Sequence, residues 1–521
     1  MATLIPWSFN SRLAQKLLRL HLYHLVLTFS RHTALLDAGI PARGWHGEAY
    51  RGHIFWDEIF IIPLLSSQFP GVAKAALLYR YRRLDAARRY AREHGYKGAM
   101  FPWQSGSDGR EETQIFHLNP LDGTWGPDHS SLQRHVSLAV AYNVWMYSQI
   151  SGDKVFLENE GAELIFEICR FWASACRFNP QTGRYSIERV MGPDEFHERH
   201  PYSHDGGLKD NAYTNIMTAW LMQRALSCWE EMDEEAKRRL KERIGFDEAE
   251  LKEWRRIMRG LNLTVLDEGI IAQFDGYFEL KELDWNYFRS KYGDTARMDR
   301  LLKAEGLSPD DYKVSKQADL LMAFYNLGPQ QALDIIRSLG IEIAPDCLAK
   351  NLDYYLPRTS HGSTLSRVVH AVVAHLAGRT GLAWSMYREA LISDFNDIQG
   401  GTTGEGIHSG VMAGTVWAAL SAYAGLDLRG AIVSLSPCLP ESWEALRFGF
   451  LFKGRYYRVQ VTGTDIKVRL EEGEKNGVEI ALDGRVYQLA KGAWLEVKLC
   501  HLHPEQGAQE RGPQITDNLR R

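Results

Sequence analysis

Six cysteines among 521 residues are few, and Cys169, Cys176, Cys228, Cys347, Cys438 and Cys500 form no Cys-X-X-Cys pair and no Cys/His metal spacing. That scatter excludes a disulfide framework and a zinc cluster, and leaves a reduced, buried structural role. No His/Glu pair has HExxH spacing and no glycine loop ends in Gly-Lys-Ser/Thr, so neither a metal site nor a nucleotide P-loop is expected. An excess of one charge is missing too. Lys and Arg number 61 against 65 Asp and Glu, the formal net charge is −4, and the two signs are not segregated, which speaks against nucleic acid or an anionic membrane as partner. The apolar run from Leu17 to Phe29 is interrupted by Arg19, His21 and His24, too short and polar to span a bilayer. Residues 1–30 lack a secretory pattern, so a cytoplasmic protein is expected.

What is present is an ordinary globular composition, 45% hydrophobic and 24% charged, in a chain long enough for two or more domains. The 15 Trp and 23 Tyr fit a carbohydrate site and equally fit aromatic packing between helices. From about Ser11 to Leu426 the chain reads as helices joined by polar or Gly/Pro-rich loops. Leu164, Ile165, Ile168, Phe171, Trp172 and Ala175 recur at helical spacing, as do Ile216, Ala219, Trp220 and Leu226 after Asp210-Asn211. Residues 234–259 read as one or two charged surface helices. After Gly430 the period changes to two: Leu446, Phe448, Phe450 and Phe452 alternate, then Tyr457, Val459 and Val461, then Ile466, Val468 and Leu470. Val478, Ile480 and Leu482 lead into Asp483-Gly484, a hairpin signal. A small antiparallel β domain is expected there, followed by a polar tail without apolar periodicity.

The unusual chemistry lies in the loops. Met191-Gly192-Pro193-Asp194-Glu195-Phe196-His197 puts two adjacent carboxylates on a turn that cannot extend a helix. Pressed against the neighbouring rings, such a carboxyl would have its pKa raised and could donate a proton; the alternative reading is a helix cap. In residues 51–58, Trp56 beside Asp57 offers a ring for the apolar face of a pyranose and a carboxylate for its hydroxyls, or else simply starts a helix. Residues 101–113 are polar and glycine-rich, a rim loop rather than core. Lys316 and Gln317 precede an apolar helix and suit a polyol or a phosphate. His361-Gly362-Ser363-Thr364-Leu365-Ser366 and residues 400–408, which end in His408, combine glycines, hydroxyls and imidazoles, a composition that wraps a small anion. Inverting cleavage of a glycoside needs an acid on one face and a nucleophile on the other. Water would require a base; inorganic phosphate would require only an anion pocket.

Taken in order, RGHIFWDE, VMGPDEFHE, DNAYTN, KQAD, HGSTLS and GGTTGEGIH resemble the motifs of the glycoside hydrolase family 65 disaccharide phosphorylases, which include the maltose, trehalose and kojibiose enzymes. The resemblance covers roughly Leu17 to Leu499. It implies a mainly α fold: an (α/α)6 barrel over residues 46–428, preceded by a linker-helix region at 1–45 and followed by a C-terminal β domain at 429–500 and a disordered tail at 501–521. It implies that Glu195 is the general acid and that Trp56, Asp57, Lys316 and Gln317 bind sugar. His361, Ser363, Thr364 and His408 would hold phosphate. The implied reaction is phosphorolysis of an α-glucoside to β-glucose 1-phosphate and a free acceptor, with inversion, without a cofactor and with inorganic phosphate as co-substrate. The chain starts near the linker helix, without the N-terminal β-sandwich usual in the family, so a homodimer or a separate sandwich subunit enters as partner alongside sugar and phosphate. Two alternatives stand beside this reading: an inverting α-glucosidase on the same scaffold, with Glu405 as base, and a subunit whose site a partner completes.

Overall fold

The computed structural model describes residues 12–44, 47, 49–201, 203, 205–398, 402–472 and 477–499. Cys500, Gly400, Gly401 and the tail expected at 501–521 lie outside them.

Six helices form a closed ring: Glu58–Gln68, Val136–Ser151, Ala212–Glu231, Leu321–Leu327, Thr364–Leu376 and Ser409–Ala418, each packed on the next and the last on the first. Their sequences are apolar on nearly every side, as helices enclosed by others must be; in Glu58–Gln68 every residue from Glu58 to Ser67 is buried. A second layer surrounds them. Pro70–Arg82, Ala162–Ala175, Pro329–Ser338, Cys347–Tyr355 and Thr380–Ile392 each lie against two neighbouring members of the ring. These outer helices carry a stripe rather than a full apolar surface; Pro329–Ser338 buries Ala332, Leu333, Ile335 and Ile336 and turns its other residues outward. The sixth outer helix is Arg12–Thr28, which rests on Ser409–Ala418 and Thr380–Ile392. It was expected as a linker ahead of the barrel, but Leu17, Leu18 and Leu25 are at most 3% exposed and make it part of the barrel wall.

Beyond Leu426 two four-stranded sheets pack together. The alternation read from sequence is the burial pattern: Leu446, Phe448, Phe450, Phe452, Val459, Val461, Ile466, Val468 and Leu470 are all inside. Asp483 and Gly484 both adopt positive φ, the two-residue turn that joins Val478–Leu482 to Arg485–Leu489. Pairing is antiparallel except that Val433–Leu435 runs parallel to Val478–Leu482. This domain sits at one end of the barrel. Gln68 Nε2 donates to Gly449 O at 2.8 Å, Lys453 N donates to Ile150 O at 2.7 Å, and Arg429 reaches Asn326 O at 3.4 Å. All three contacts fall at C-terminal ends of ring helices, so the opposite, N-terminal end is the open one.

The loops contain β structure that the helical reading did not foresee. Cys176–Asn179, Arg184–Val190 and Leu208–Lys209 form a three-stranded sheet, and a short hairpin pairs Phe116–Leu118 with Trp125–Pro127. Residues 101–106, expected on a rim, are buried; Ile54 and Ser105 exchange backbone hydrogen bonds at 3.1 and 2.9 Å and tie them to the wall. Four of the described cysteines are buried and unpaired, but Cys438 is exposed, against the expected buried role. Among the described residues, no helix is long and apolar enough to cross a membrane, and no group of His, Cys, Asp and Glu side chains could hold a metal ion.

Candidate active site

Five of the six ring helices begin within or just after a segment singled out in the sequence: residues 51–58, 210–215, 316–319, 361–366 and 402–408. The sixth, Val136–Ser151, follows Gln133 and His135, which sequence reasoning passed over. Unpaired N–H groups and the positive ends of the helix dipoles thus converge on one opening. The strand Arg184–Val190 delivers the Met191–His197 turn over the same opening.

Nearly every group of that turn is held. Gly192 packs so closely that a Cβ there would lie 2.0 Å from Asp319 Oδ2 and 2.3 Å from Asn211 Nδ2. Gln317 Nε2 donates to Pro193 O at 2.7 Å, and Asp194 N donates to Asp319 Oδ2 at 3.3 Å. Asp319 in turn accepts from Asn211 Nδ2 at 2.8 Å. Burial, and next the charge of Asp194, push the Asp319 pKa far up. His197 Nδ1 donates to Asp194 Oδ2 at 2.5 Å and its Nε2 donates to Tyr312 O at 2.9 Å. Two donating nitrogens require an imidazolium. Burial opposes that charge, but Asp194 and the hydrogen bonds outweigh it and raise the His197 pKa.

Glu195 adopts a left-handed φ of 63°, costly for a residue with a Cβ, and projects into the opening. Its surroundings differ from the apolar contact expected. Lys316 Nζ lies 2.8 Å from Oε2 and Gln317 Nε2 lies 2.9 Å from Oε1, while the carboxyl stays 23% exposed. The Lys-Gln pair read as sugar-binding thus holds both oxygens of the candidate acid. Burial lowers and Glu195 raises the Lys316 pKa, and the balance is upward.

Asp57 is half-buried at the start of Glu58–Gln68. Burial first, then the charge of Glu195, raise its pKa to about 6. Trp56, by contrast, is only 3% exposed, its ring edge-on to His135 at 4.7 Å, Phe60 at 5.9 Å and Tyr213 at 6.4 Å. The open stacking face expected of it is covered, and it serves as the backing of the Asp57 wall.

His361 also has positive φ, 54°; its Nδ1 meets Ser366 Oγ at 2.9 Å, and burial, followed by His370 and Arg367, hold its pKa well below 6.5, so it is a neutral imidazole. Ser363 caps its helix by accepting from Leu365 N at 3.3 Å, and Thr364 is buried behind it. Gly362 N donates to Lys316 O at 2.9 Å, which sets this loop beside the acid's partner. His408 is fixed by Asp394, which accepts from its backbone N at 2.8 Å and from its Nδ1 at 2.7 Å. Arg43, buried and absent from the sequence reading, donates to Thr402 O at 3.1 Å and Gly406 O at 2.8 Å and pairs with Glu405 at 3.5 Å. No local signal marks a pairing between residues so distant in the chain. Glu405 itself is 57% exposed.

Comparison with known proteins identifies the family. The model of the glycosyl hydrolase family 65 central catalytic domain matches residues 19–417, and that of the family's C-terminal domain matches residues 426–489. An uncharacterised glycosyl hydrolase of Mycobacterium tuberculosis is 46% identical over 92% of this chain and 36% of its own length. The trehalose 6-phosphate phosphorylase of Lactococcus lactis is 43% identical over 88% of this chain and 57% of its own, and the kojibiose phosphorylase of Halothermothrix orenii 32% identical over 90% and 58%. The chain thus spans between about a third and three fifths of the length of these relatives. A solved structure from the human microbiome, described as a kojibiose phosphorylase, superposes with a TM-score of 0.79 at 24% identity, over 96% of this chain and 68% of that one, and shares the fold. The chain belongs to glycosyl hydrolase family 65.

Proposed function

We propose that the chain catalyses inverting phosphorolysis of an α-linked glucosyl disaccharide. The observation that carries this is the asymmetry of the opening: one oriented carboxyl on the acid's side, and on the other side loops of hydroxyl, imidazole and guanidinium donors. The one carboxylate among the described residues of those loops, Glu405, is exposed and paired with Arg43 rather than aimed as a base. In the reaction Glu195, protonated, gives its proton to the glycosidic oxygen as the bond to C1 breaks and its electrons pass to that oxygen. A phosphate oxygen attacks C1 from the opposite face, forming β-glucose 1-phosphate and leaving Glu195 as carboxylate. His361, Ser363, Thr364 and His408 receive the phosphate, Asp57 accepts sugar hydroxyls, and Lys316 with Gln317 keeps the acid in line. The names of the Lactococcus and Halothermothrix relatives support the same chemistry. Buried free cysteines suit a reducing, cytoplasmic setting.

The test is release of β-glucose 1-phosphate from a panel of α-linked glucosyl disaccharides with and without phosphate. Equal release of glucose in phosphate-free buffer would replace phosphorolysis with hydrolysis. Glu195→Gln is expected to lower turnover by about 10²–10⁴ with the fold intact. His361→Ala or Ser363→Ala is expected to weaken the use of phosphate by about 10²-fold or more; an unchanged dependence on phosphate concentration removes that loop from the reading.

A further inference from the structure

Two imidazoles of the anion loops carry their hydrogens on opposite nitrogens. His361 and His408 stand at the starts of neighbouring ring helices. A Cβ on Gly410, two residues past His408, would lie 3.0 Å from Leu365 Cδ2 and 3.3 Å from Asp57 Oδ1, so the two loops meet beside Asp57. Each ring is anchored through Nδ1 and partly exposed, and neither Nε2 has a partner among the described residues.

At His361 the hydrogen is placed by elimination. His370 Nδ1 lies 2.8 Å from Ser366 O, a carbonyl that can only accept, so that nitrogen carries a hydrogen. Burial above all lowers the His370 pKa to about 4, and its ring is neutral. Ser366 Oγ, 3.3 Å from the same nitrogen, cannot donate to it. The buried hydroxyl therefore gives its hydrogen to His361 Nδ1 at 2.9 Å. His361, also neutral, keeps its own hydrogen on Nε2 and offers a donor.

His408 is arranged the other way. Asp394 accepts from its backbone N at 2.8 Å and lies 2.7 Å from its Nδ1. Burial works against the charge of Asp394, but the contacts of His408 and the nearby Arg43 hold its pKa below the usual carboxylate range. Arg43 Nη1 also comes within 3.3 Å of His408 Nδ1, yet it spends its two hydrogens on Thr402 O and Gly406 O. Nδ1 thus donates to Asp394, and Nε2 of the neutral ring bears a lone pair. The other titratable groups around this pair are Glu405 behind Arg43, Asp57 across Gly410, and His21 of Arg12–Thr28, which burial keeps neutral with a pKa of about 4.

One donating and one accepting imidazole fit an oxyanion that still carries a hydrogen. We propose that the pocket selects hydrogen phosphate by its hydrogen: the P–OH donates to His408 Nε2, His361 Nε2–H donates to an unprotonated oxygen, and Asp394 is the positioning residue that sets this choice. This rests on the phosphorolytic reading above. An unprotonated phosphate oxygen forms the bond to C1 while the glycosidic electron pair leaves with the departing oxygen, which takes the Glu195 proton. The P–OH hydrogen stays on the phosphate, so the two negative charges end as one on the sugar ester and one on Glu195. Sulfate has the same shape and charge but no hydrogen, and would set an oxygen lone pair against that of His408.

The test compares the KM of phosphate with the inhibition constant of sulfate, using a disaccharide that the panel above shows to be cleaved. At pH 8 phosphate is expected to bind about tenfold or more tighter than sulfate. Sulfate does not titrate between pH 6 and 8, so its inhibition should strengthen about tenfold or more toward pH 6, where His408 can take up a proton and donate. In Asp394→Asn the backbone N of His408 claims the amide oxygen, the amide nitrogen faces Nδ1, and the ring hydrogen moves to Nε2. The preference for phosphate at pH 8 should then shrink to less than threefold and the pH dependence of sulfate should flatten; calorimetric titration of both anions reads this even if the variant is inactive. Sulfate that binds the wild type at pH 8 as tightly as phosphate overturns the proposal and leaves phosphorolysis standing, as does an Asp394→Asn variant with its preference unaltered. If no disaccharide is cleaved with phosphate, phosphorolysis and this proposal fail together. Should Asp394→Asn not fold, the wild-type comparison of sulfate at pH 6 and 8 decides: inhibition that does not change overturns the proposal.

Discussion

Gly192→Ala adds one methyl group at the tightest point of the acid turn. The new Cβ would meet Asp319 Oδ2 at 2.0 Å and Asn211 Nδ2 at 2.3 Å, where ordinary contact needs roughly 3.5 Å. Neither partner can step aside. Asp319 is bound to Asn211 at 2.8 Å and to the Asp194 amide at 3.3 Å, and both side chains are buried. The turn must therefore retreat by about 1 Å, and an overpacked site of this kind costs about 1–3 kcal/mol. A displacement of that size at a reacting group costs about 10²-fold in rate. The expected result is a folded protein, modestly destabilised in thermal unfolding, with kcat for phosphorolysis down by about two orders of magnitude. Gly71→Ala is the control. It changes the same residue type inside the helix Pro70–Arg82, where no atom lies within 4 Å of a new Cβ. There, helix propensity predicts no loss of activity and a gain of up to about 1 kcal/mol. If Gly192→Ala keeps wild-type turnover and melting temperature, the turn is not held as described.

Two further predictions concern pH. Asp57 must be ionised to accept sugar hydroxyls, and its pKa stands near 6, so kcat/KM should fall as pH drops through about 6; in Asp57→Asn that limb should vanish from the pH profile, and its persistence would assign the limb to another group. His197 has a folded pKa above its ordinary 6.5, so as pH rises the unfolded chain releases this proton first. The stabilisation is therefore complete below pH 6.5 and is lost as pH climbs through the folded value. His197→Gln strands Asp194 and should cost about 3–5 kcal/mol at low pH. The gap in melting temperature between the two proteins should narrow toward alkaline pH; a constant gap would mean that His197 is neutral in the fold.

The periodicities carried much of the fold because burial follows them directly. Residues 164–175 and 446–470 turn inward at the spacing their residue types announce. The β structure inside the barrel half escaped notice because its strands bury little: Arg184–Val190 hides only Ile187 and Val190, and the hairpin at 116–127 leaves Phe116, Leu118 and Trp125 exposed. The site segments were legible as unusual loops, but what each does to its neighbour was not. Gly192 against Asp319, Arg43 against Gly406 and Glu195 against Lys316 are separated by more than a hundred residues, and no local pattern encodes a contact across a ring. Trp56 shows the converse. Residue type suggested an open sugar platform, whereas an aromatic cluster of Phe60, His135 and Tyr213 claims its faces.

The ring has a last member. Ser409–Ala418 closes it between Thr364–Leu376 and Glu58–Gln68, and it also supplies the seat for Arg12–Thr28, the first helix of the barrel wall. During synthesis the apolar stripe of Arg12–Thr28 therefore stays uncovered until Thr380–Ile392 and then Ser409–Ala418 have emerged. His408 and the loop clamped by Arg43 arrive in the same step. On the phosphorolytic reading proposed above, a nascent or prematurely ended barrel holds the turn of Glu195 before the loop that ends in His408 is in place, and competence would coincide with closure of the ring.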